Sequence, residues 1–199
     1  SSRFEREAAE AQDLVIQREP HKLLLIFFHR LIDNPSAARS ATIIGLSRGF
    51  DVRVASLNIN GLRSGARKGL FGWLEQSRCD FLCLQEIKCV AEDLATDPVF
   101  RPPGWSVFFN SSEQKGRSGV AVYARQAPDL VQSEFGSAEF DREGRYLELR
   151  YGRLSIVSLY FPSGSAGPER QASKFRFLGM IQPLLAEWRK SDRDYILCG

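Results

Sequence analysis

The fold is decided by residues 51–89, DVRVASLNINGLRSGARKGLFGWLEQSRCDFLCLQEIKC. The apolar run Val52–Leu57 predicts a strand, and the continuous apolar run Phe81–Leu84 predicts a second strand that is buried on both faces. Between them, Ser64 can cap a helix with one apolar stripe at i, i+3 and i+4. The stripe consists of Leu70, Trp73 and Leu74. A strand, a helix and a buried strand in succession indicate a domain of the α/β or α+β class.

Beyond residue 89 the chain continues as several strands and one long helix. Further strands are predicted at Trp105–Phe109, Val120–Tyr123, Arg145–Tyr151, Leu154–Tyr160 and Tyr195–Cys198. The alternation of polar and apolar residues around Glu148 predicts a hairpin with one face in water. Pro168 opens a helix that carries Phe175 and Leu178 on one apolar side, and Pro183 kinks or restarts this helix.

The composition is that of one globular domain, because 43% of the 199 residues are hydrophobic and 26% are charged. The net charge is only +3, so any binding of a polyanion depends on where the basic residues lie. The longest apolar run, Leu23–Phe28, is far shorter than the ~20 residues of a membrane span. The four cysteines form no C-x-x-C pair, and His21 and His29 lie far from them, which favours buried thiols in a reducing compartment over a zinc site.

Residues 1–50 differ from the rest, and we place a domain boundary at their end. Two helices are predicted in them, at Phe4–Ile16 and Lys22–Ile32. They contain no recognisable chemical motif. A docking helix, an unfolded leader and a stretch of non-native sequence are all consistent with this segment, and we expect the domain at 51–199 not to need it.

Three polar residues follow predicted strands directly: Asn60, Glu86 and Tyr160. Each has a structural explanation of its own, as a turn residue, a solvated acid or an interface aromatic. Together they indicate a site, because ligands of α/β sheets bind at the carboxyl ends of strands. One glutamate suffices for Mg²⁺, which keeps several waters and also binds substrate phosphates.

The basic residues cluster in loops near these strand ends, where they could hold phosphates. A solvated surface of mixed charge is the alternative, because Glu113 and Glu169 lie among them. The basic residues are Arg63, Arg67, Lys68, Lys88, Lys115, Arg117, Arg170, Lys174 and Arg176.

Six ordered motifs within residues 51–199 resemble the exodeoxyribonuclease III family of bacterial abasic-site endonucleases. They are SLNINGLR, FLCLQEIKC, KGRSGVAVYAR, DREGRYLELRYGRLSIVSLYFPSG, ERQASKFRF and YILCG. The resemblance implies a four-layer α/β sandwich of the deoxyribonuclease-I-like type. It also implies hydrolysis of double-stranded DNA 5′ to abasic sites and 3′→5′ exonuclease activity, with Mg²⁺ or Mn²⁺. The protein would be a cytoplasmic monomer that does not bind membranes.

The resemblance also implies roles for individual residues. Glu86 corresponds to the metal-binding glutamate, Asn60 to the active-site asparagine beside the metal, and Tyr160 to a catalytic tyrosine that contacts phosphate. Three further residues are implied to support the metal or bind the substrate phosphates: Lys88, Ser163 and Arg170. For Asp141, Glu143 and Arg145, which also match a family motif, we favour internal ion pairing over catalysis.

The motifs that follow YILCG in the family, an Asp-x-Asn pair and a later Asp-His pair, do not occur before Gly199. We therefore expect the remaining catalytic Asp, Asn and His residues beyond Gly199, and this chain alone to be inactive. We also expect Leu154–Tyr160 and Tyr195–Cys198 to have uncovered apolar faces. Two alternatives stay open: a phosphodiesterase of the same fold acting on RNA or lipid, and a non-catalytic fragment that binds nucleic acid weakly.

Overall fold

The computed structural model describes residues 52–163 and 167–199, together with the backbone of residues 23–26 and 44–45. The described strands are β1 (Leu23–Ile26), β2 (Ile44–Gly45), β3 (Arg53–Asn58), β4 (Phe81–Gln85), β5 (Ser106–Asn110), β6 (Val120–Ala124), β7 (Leu130–Gln132), β8 (Tyr146–Tyr151), β9 (Leu154–Leu159) and β10 (Asp194–Cys198). The helices are α1 (Leu62–Arg67), α2 (Leu70–Gln76), α3 (Ala91–Thr96), α4 (Ala138–Asp141) and α5 (Pro168–Lys190), with a 3₁₀ turn at Pro98–Phe100.

The strands form two mixed five-stranded sheets. Sheet I has the order β2-β3-β4-β6-β5, and sheet II has the order β1-β10-β9-β8-β7. The pairs β3–β4 and β9–β10 are parallel, so the carboxyl ends of each pair lie at the same edge of their sheet. The antiparallel strands β6 and β8 continue the sheets beside them.

Three apolar clusters show that the architecture has four layers, as the resemblance implies. One cluster packs α1 and α2 on the outer face of sheet I, the second lies between the sheets, and the third packs α5 on the outer face of sheet II. Because side chains alternate along a strand, Leu82 of β4 joins the first cluster and Cys83 joins the second. Both faces of β4 are therefore covered, and its prediction as a fully buried strand is confirmed.

The expectation of uncovered apolar faces in the last strands is wrong. Every residue of β9 is buried, and so is Tyr195–Cys198 of β10. The reason is that the two sheets pack against each other within the described residues, while α5 covers the outer face of sheet II.

The helix predicted at Lys22–Ile32 is wrong for Leu23–Ile26, which form a strand parallel to β10. An apolar run of four residues fits a strand as well as a helix, and the open edge of β10 provides a pairing partner. The helix predicted at Phe4–Ile16 lies outside the described residues. No helix in the described part of the chain is long and apolar enough to cross a membrane.

The helical segments also differ from the predictions. Ser64 lies inside α1, and the apolar stripe that begins at Leu70 belongs to a separate helix after Gly69. Pro183 lies within one continuous helix, α5, which buries Phe177, Ile181 and Trp188. Phe175 and Leu178 are exposed, so the buried side of this helix is not the predicted one.

The predicted wet face of the β8–β9 hairpin is buried beneath α5. Glu148 is 1% exposed and accepts hydrogen bonds from the Tyr146 hydroxyl (2.7 Å), the Ser155 hydroxyl (2.6 Å) and Arg150 Nε (2.8 Å). Burial alone would raise the pKa of Glu148, but the bonds from Arg150, Ser155 and Tyr146 outweigh it and hold the pKa below its usual range. The alternation of polar and apolar residues around Glu148 therefore corresponds to a buried carboxylate with hydrogen-bond donors and not to a face in water.

Glu148 should make stability depend on pH. Because its pKa is lower in the folded than in the unfolded chain, where it is about 4.3, its stabilisation is complete above about pH 5 and is lost as the pH falls further. Glu148→Gln should lower the free energy of unfolding at pH 7 by about 1–3 kcal/mol and flatten its dependence on pH between 3 and 6, measured by urea unfolding. Glu75→Gln, at an exposed acid of α2, is the control. An unchanged pH profile in Glu148→Gln would contradict this account.

Candidate active site

Glu86 lies directly after β4, where the backbone redirects its side chain. On a regular strand, Gln85 points between the sheets and the next side chain points towards α1 and α2. Glu86 instead has φ +56°, in the left-handed region that non-glycine residues rarely adopt. This conformation turns its carboxylate towards the edge where the two sheets meet.

Backbone hydrogen bonds hold this turn on both sides. Glu86 O accepts from Gly61 N (2.7 Å), Ile87 N donates to Gly119 O (3.1 Å), and Lys88 N donates to Ser118 O (2.9 Å). Gly119 must be glycine, because its φ is +80° and a Cβ there would lie 2.6 Å from Ile87 Cγ1. The segments before and after Glu86 are thus fixed by the neighbouring strands.

Three side chains contact the Glu86 carboxylate. Oε1 accepts from Asn58 Nδ2 (2.9 Å) and from the Tyr160 hydroxyl (2.8 Å), and Oε2 lies 3.0 Å from Lys88 Nζ. Half-burial alone would raise the pKa of Glu86, but the hydrogen bonds from Asn58, Lys88 and Tyr160 outweigh it and lower the pKa. Glu86 is therefore an anion at neutral pH.

The asparagine that contacts Glu86 is Asn58, which the sequence interpretation did not select. Asn60 lies one step further out, where its side-chain oxygen accepts from Lys88 Nζ and its backbone N donates to Asn58 Oδ1. The signal for Asn58 was available, because it shares one face of β3 with Val54 and Ser56 and is the last residue of that strand.

Arg145 holds Tyr160 in place from the opposite side. It donates from Nη1 to the Tyr160 carbonyl (3.0 Å), and its guanidinium lies 5.0 Å from the centre of the Tyr160 ring. Glu143 pairs with Arg145, and Asp141 accepts from the backbone N of two loop residues. The predicted ion pairing therefore agrees with the contact between Glu143 and Arg145, whereas Asp141 caps backbone N–H groups instead.

A cavity of about 240 Å³ is lined by two residues that contact the Glu86 carboxylate, Lys88 and Tyr160, but not by Glu86 itself. Lys88, Tyr160, Ser163 and Arg170, four residues selected from the sequence, all line it. The remaining lining residues are Ser112, Gln114, Gly116, Arg117, Ser118, Glu143 and Arg145. Four cationic side chains and one carboxylate make this cavity suitable for an anion.

Two other basic residues are paired with acids away from this cavity. Arg63 lies 2.6 Å from Asp93, and Arg176 lies 2.6 Å from Glu139. Of the nine predicted basic residues, three therefore line the cavity and two form these ion pairs, while Arg67, Lys68, Lys115 and Lys174 do neither among the described residues.

The oxygens at this site fit one hard divalent cation. Lys88 Nζ lies between Glu86 Oε2 and Asn60 Oδ1, so a positive charge is already placed between two oxygens of the kind that Mg²⁺ prefers. No group of three or more His, Cys, Asp or Glu residues that could hold a metal occurs among the described residues.

The site can be compared with known proteins. Residues 55–199 match the Endonuclease/Exonuclease/phosphatase family. The chain is 32% identical over 149 residues to a DNA-(apurinic or apyrimidinic site) endonuclease of Dictyostelium discoideum, covering 74% of this chain and 41% of that protein. It is 32% identical to an exodeoxyribonuclease of Bacillus subtilis over 74% of this chain and 57% of that protein.

Solved structures agree with this likeness. An AP endonuclease from Archaeoglobus fulgidus superposes with a TM-score of 0.60 at 26% identity, over 68% of this chain and 51% of that one. The sequence resemblance and the predicted fold are thereby confirmed. The chain spans about half the length of these relatives.

Glu86→Gln should weaken binding of a divalent ion, because it keeps the shape of the side chain and removes its charge. We expect Mn²⁺ affinity, measured from the electron paramagnetic resonance signal of the free ion, to fall by at least about tenfold. Glu134→Gln, at an exposed acid far along the chain, is the control and should bind like the wild type. Equal Mn²⁺ affinity in both variants would contradict the assignment of Glu86 as a metal ligand.

Proposed function

The chain belongs to the Endonuclease/Exonuclease/phosphatase family, and we propose that the protein is a DNA repair nuclease. It would hydrolyse the DNA backbone 5′ to abasic sites and remove nucleotides from 3′ ends. The observation that carries this proposal is the Glu86 carboxylate, bonded by Asn58 and by Tyr160, of which Tyr160 lines a basic cavity. The names of the relatives, an endonuclease for abasic sites and an exodeoxyribonuclease, support DNA as the substrate.

Several of the described residues would have separate roles in phosphodiester hydrolysis. A divalent ion held at Glu86 and Asn60, most simply Mg²⁺, would stabilise the negative charge that develops on phosphate oxygens. Asn58 keeps the Glu86 carboxylate in one orientation, and the Tyr160 hydroxyl can donate to a phosphate oxygen in place of Glu86. Lys88 neutralises part of the charge at this point.

The cavity would hold the DNA backbone on one side of the reacting phosphate. Arg117 and Arg170 line it and form no ion pair with an acid in the part of the chain that the structure describes, whereas Arg145 is already paired with Glu143. Abasic nucleotides suit such a site, because they leave the helix without the unstacking energy of a base. We propose a cytoplasmic location, which the four free, buried cysteines support. We also propose that the protein is a monomer.

The choice of DNA over RNA or lipid can be tested by binding. We expect the chain to bind a duplex with a tetrahydrofuran abasic analogue more tightly than an intact duplex, a poly(A) strand or phosphoinositide vesicles. Arg117→Gln and Arg170→Gln should each weaken duplex binding and reduce the slope of log affinity against log salt by about 0.9, the value for one phosphate contact. Arg189→Gln, near the far end of α5, is the control. Tighter binding to vesicles or poly(A) would contradict this function and favour a phosphodiesterase of the same fold that acts on lipid or RNA.

We further propose that the 199-residue chain alone does not cleave. Hydrolysis needs a base for the attacking water, and the chain spans only about half the length of the relatives that it matches. The purified chain should give no Mg²⁺-dependent nick in an abasic duplex. Nicking that disappears in Glu86→Gln, which excludes a contaminating nuclease, would overturn this expectation.

A further inference from the structure

A buried polar cluster lies one layer below the active site, between the two sheets. Gln85 donates from Nε2 to the hydroxyls of Ser56 and Ser158, both at 3.2 Å, and Ser158 donates to the Leu84 carbonyl at 3.1 Å. Gln85 is 1% exposed, and the two serines are fully buried. We call Ser56, Gln85 and Ser158 the inter-sheet clamp.

The clamp occupies positions that are set by the two-residue period of the strands. Ser56 precedes Asn58 by two residues, Ser158 precedes Tyr160 by two, and Gln85 directly precedes Glu86. The clamp therefore joins the same three chain segments that meet at the Glu86 carboxylate. Its bonds from Gln85 of sheet I to Ser158 of sheet II span 73 residues of sequence.

The surroundings of the clamp are apolar. The cluster between the sheets contains Val54, Val122 and Ile156, whose aliphatic side chains pack without directional bonds. Apolar contacts of this kind allow two sheets to shift slightly against each other, because dispersion and burial depend weakly on direction. A buried amide that is satisfied by two hydroxyls permits only one position, since any shift leaves its donors unpaired.

We propose that the inter-sheet clamp is a positioning device for the active site. By holding β3, β4 and β9 at one separation, it places Asn58 and Tyr160 within hydrogen-bond distance of Glu86 Oε1. Gln85, Ser56 and Ser158 contact no substrate in this role. They act through the orientation of the Glu86 carboxylate. The expected effect on metal binding rests on the proposed function, in which Glu86 binds the ion.

A purely structural role makes a different prediction. If the clamp contributed only to stability, replacing all three residues by apolar ones of similar size would leave the site unchanged in every molecule that folds. If it positions the site, the same replacement would keep the fold and loosen the bond between Tyr160 and Glu86. The two roles therefore separate in a measurement made on the folded state.

The test variant is Ser56→Ala/Gln85→Met/Ser158→Ala in the full chain. The chain has five tyrosines, so ¹³Cζ-tyrosine labelling gives a small set of signals, among which Tyr160→Phe identifies that of Tyr160. Glu86→Ala, which removes the acceptor, provides the reference position of this signal without the bond. The matched control is Val122→Ala, which loses packing in the same inter-sheet layer and removes no hydrogen-bonding group.

We expect the Tyr160 signal of the clamp variant to move towards its position in Glu86→Ala, and Mn²⁺ affinity to fall about 10- to 100-fold. Val122→Ala should lower the melting temperature but leave the signal and the affinity at their wild-type values. A wild-type Tyr160 signal in the clamp variant, or an equal displacement in Val122→Ala, would overturn the proposal. If the triple variant does not fold, the single variant Ser158→Ala serves as the test. We then expect a smaller displacement of the Tyr160 signal in the same direction, and an undisplaced signal would overturn the proposal.

The NMR signal keeps this inference separate from the proposed function. A wild-type chain that binds no Mn²⁺ would contradict the metal site at Glu86, yet displacement of the Tyr160 signal by the clamp variant would still support positioning. Conversely, normal Mn²⁺ binding with an undisplaced signal would retain the metal site and reject the clamp.

Discussion

The active site depends on one contact between the sheets, the hydrogen bond from the Tyr160 hydroxyl to Glu86 Oε1. Glu86 directly follows a strand of sheet I, and Tyr160 directly follows a strand of sheet II. The distance of 2.8 Å between the Tyr160 hydroxyl and Glu86 Oε1 therefore exists only while the sheets keep one separation. This bond adds to those from Asn58 and Lys88 that lower the pKa of Glu86, and the basic cavity is lined by both Lys88 and Tyr160. The packing between the sheets is therefore part of the chemistry as well as of the stability.

Backbone strain is concentrated at the same place. Asn60, Glu86 and Lys88 all have positive φ, and all three are site residues. Conformations of this kind cost of order 1–3 kcal/mol each and persist only where neighbouring structure holds them. Here the neighbours are Gly61 and the segment Ser118–Gly119, whose backbone groups pair with residues 86–88. The strain is thus balanced by bonds from two other loops.

Much of the fold followed from the sequence, because it depends on local patterns. The continuous apolar run of β4 and the convergence of Glu86 and Tyr160 at strand ends needed only periodicity and the rule for ligand sites in α/β sheets. The place of Asn58 at the end of β3 could be predicted from the sequence, but the left-handed turn at Glu86 that brings the carboxylate to it could not. Glu148 was misplaced because the helix that covers it is more than twenty residues away in sequence, and alternation alone cannot distinguish water from a buried set of donors.

The turn at Glu86 has a consequence for how the sequence can change over time. Gln85 and Glu86 are adjacent, yet one serves the layer between the sheets and the other serves the site above it, so a deletion or insertion of a single residue in β4 would exchange their places. The loop at residues 112–118, which lines the cavity, has no such constraint on its length from strand pairing. Natural variants should therefore differ in the length of that loop, where the shape of the basic cavity can be adjusted, while the spacing from Phe81 to Glu86 stays invariant.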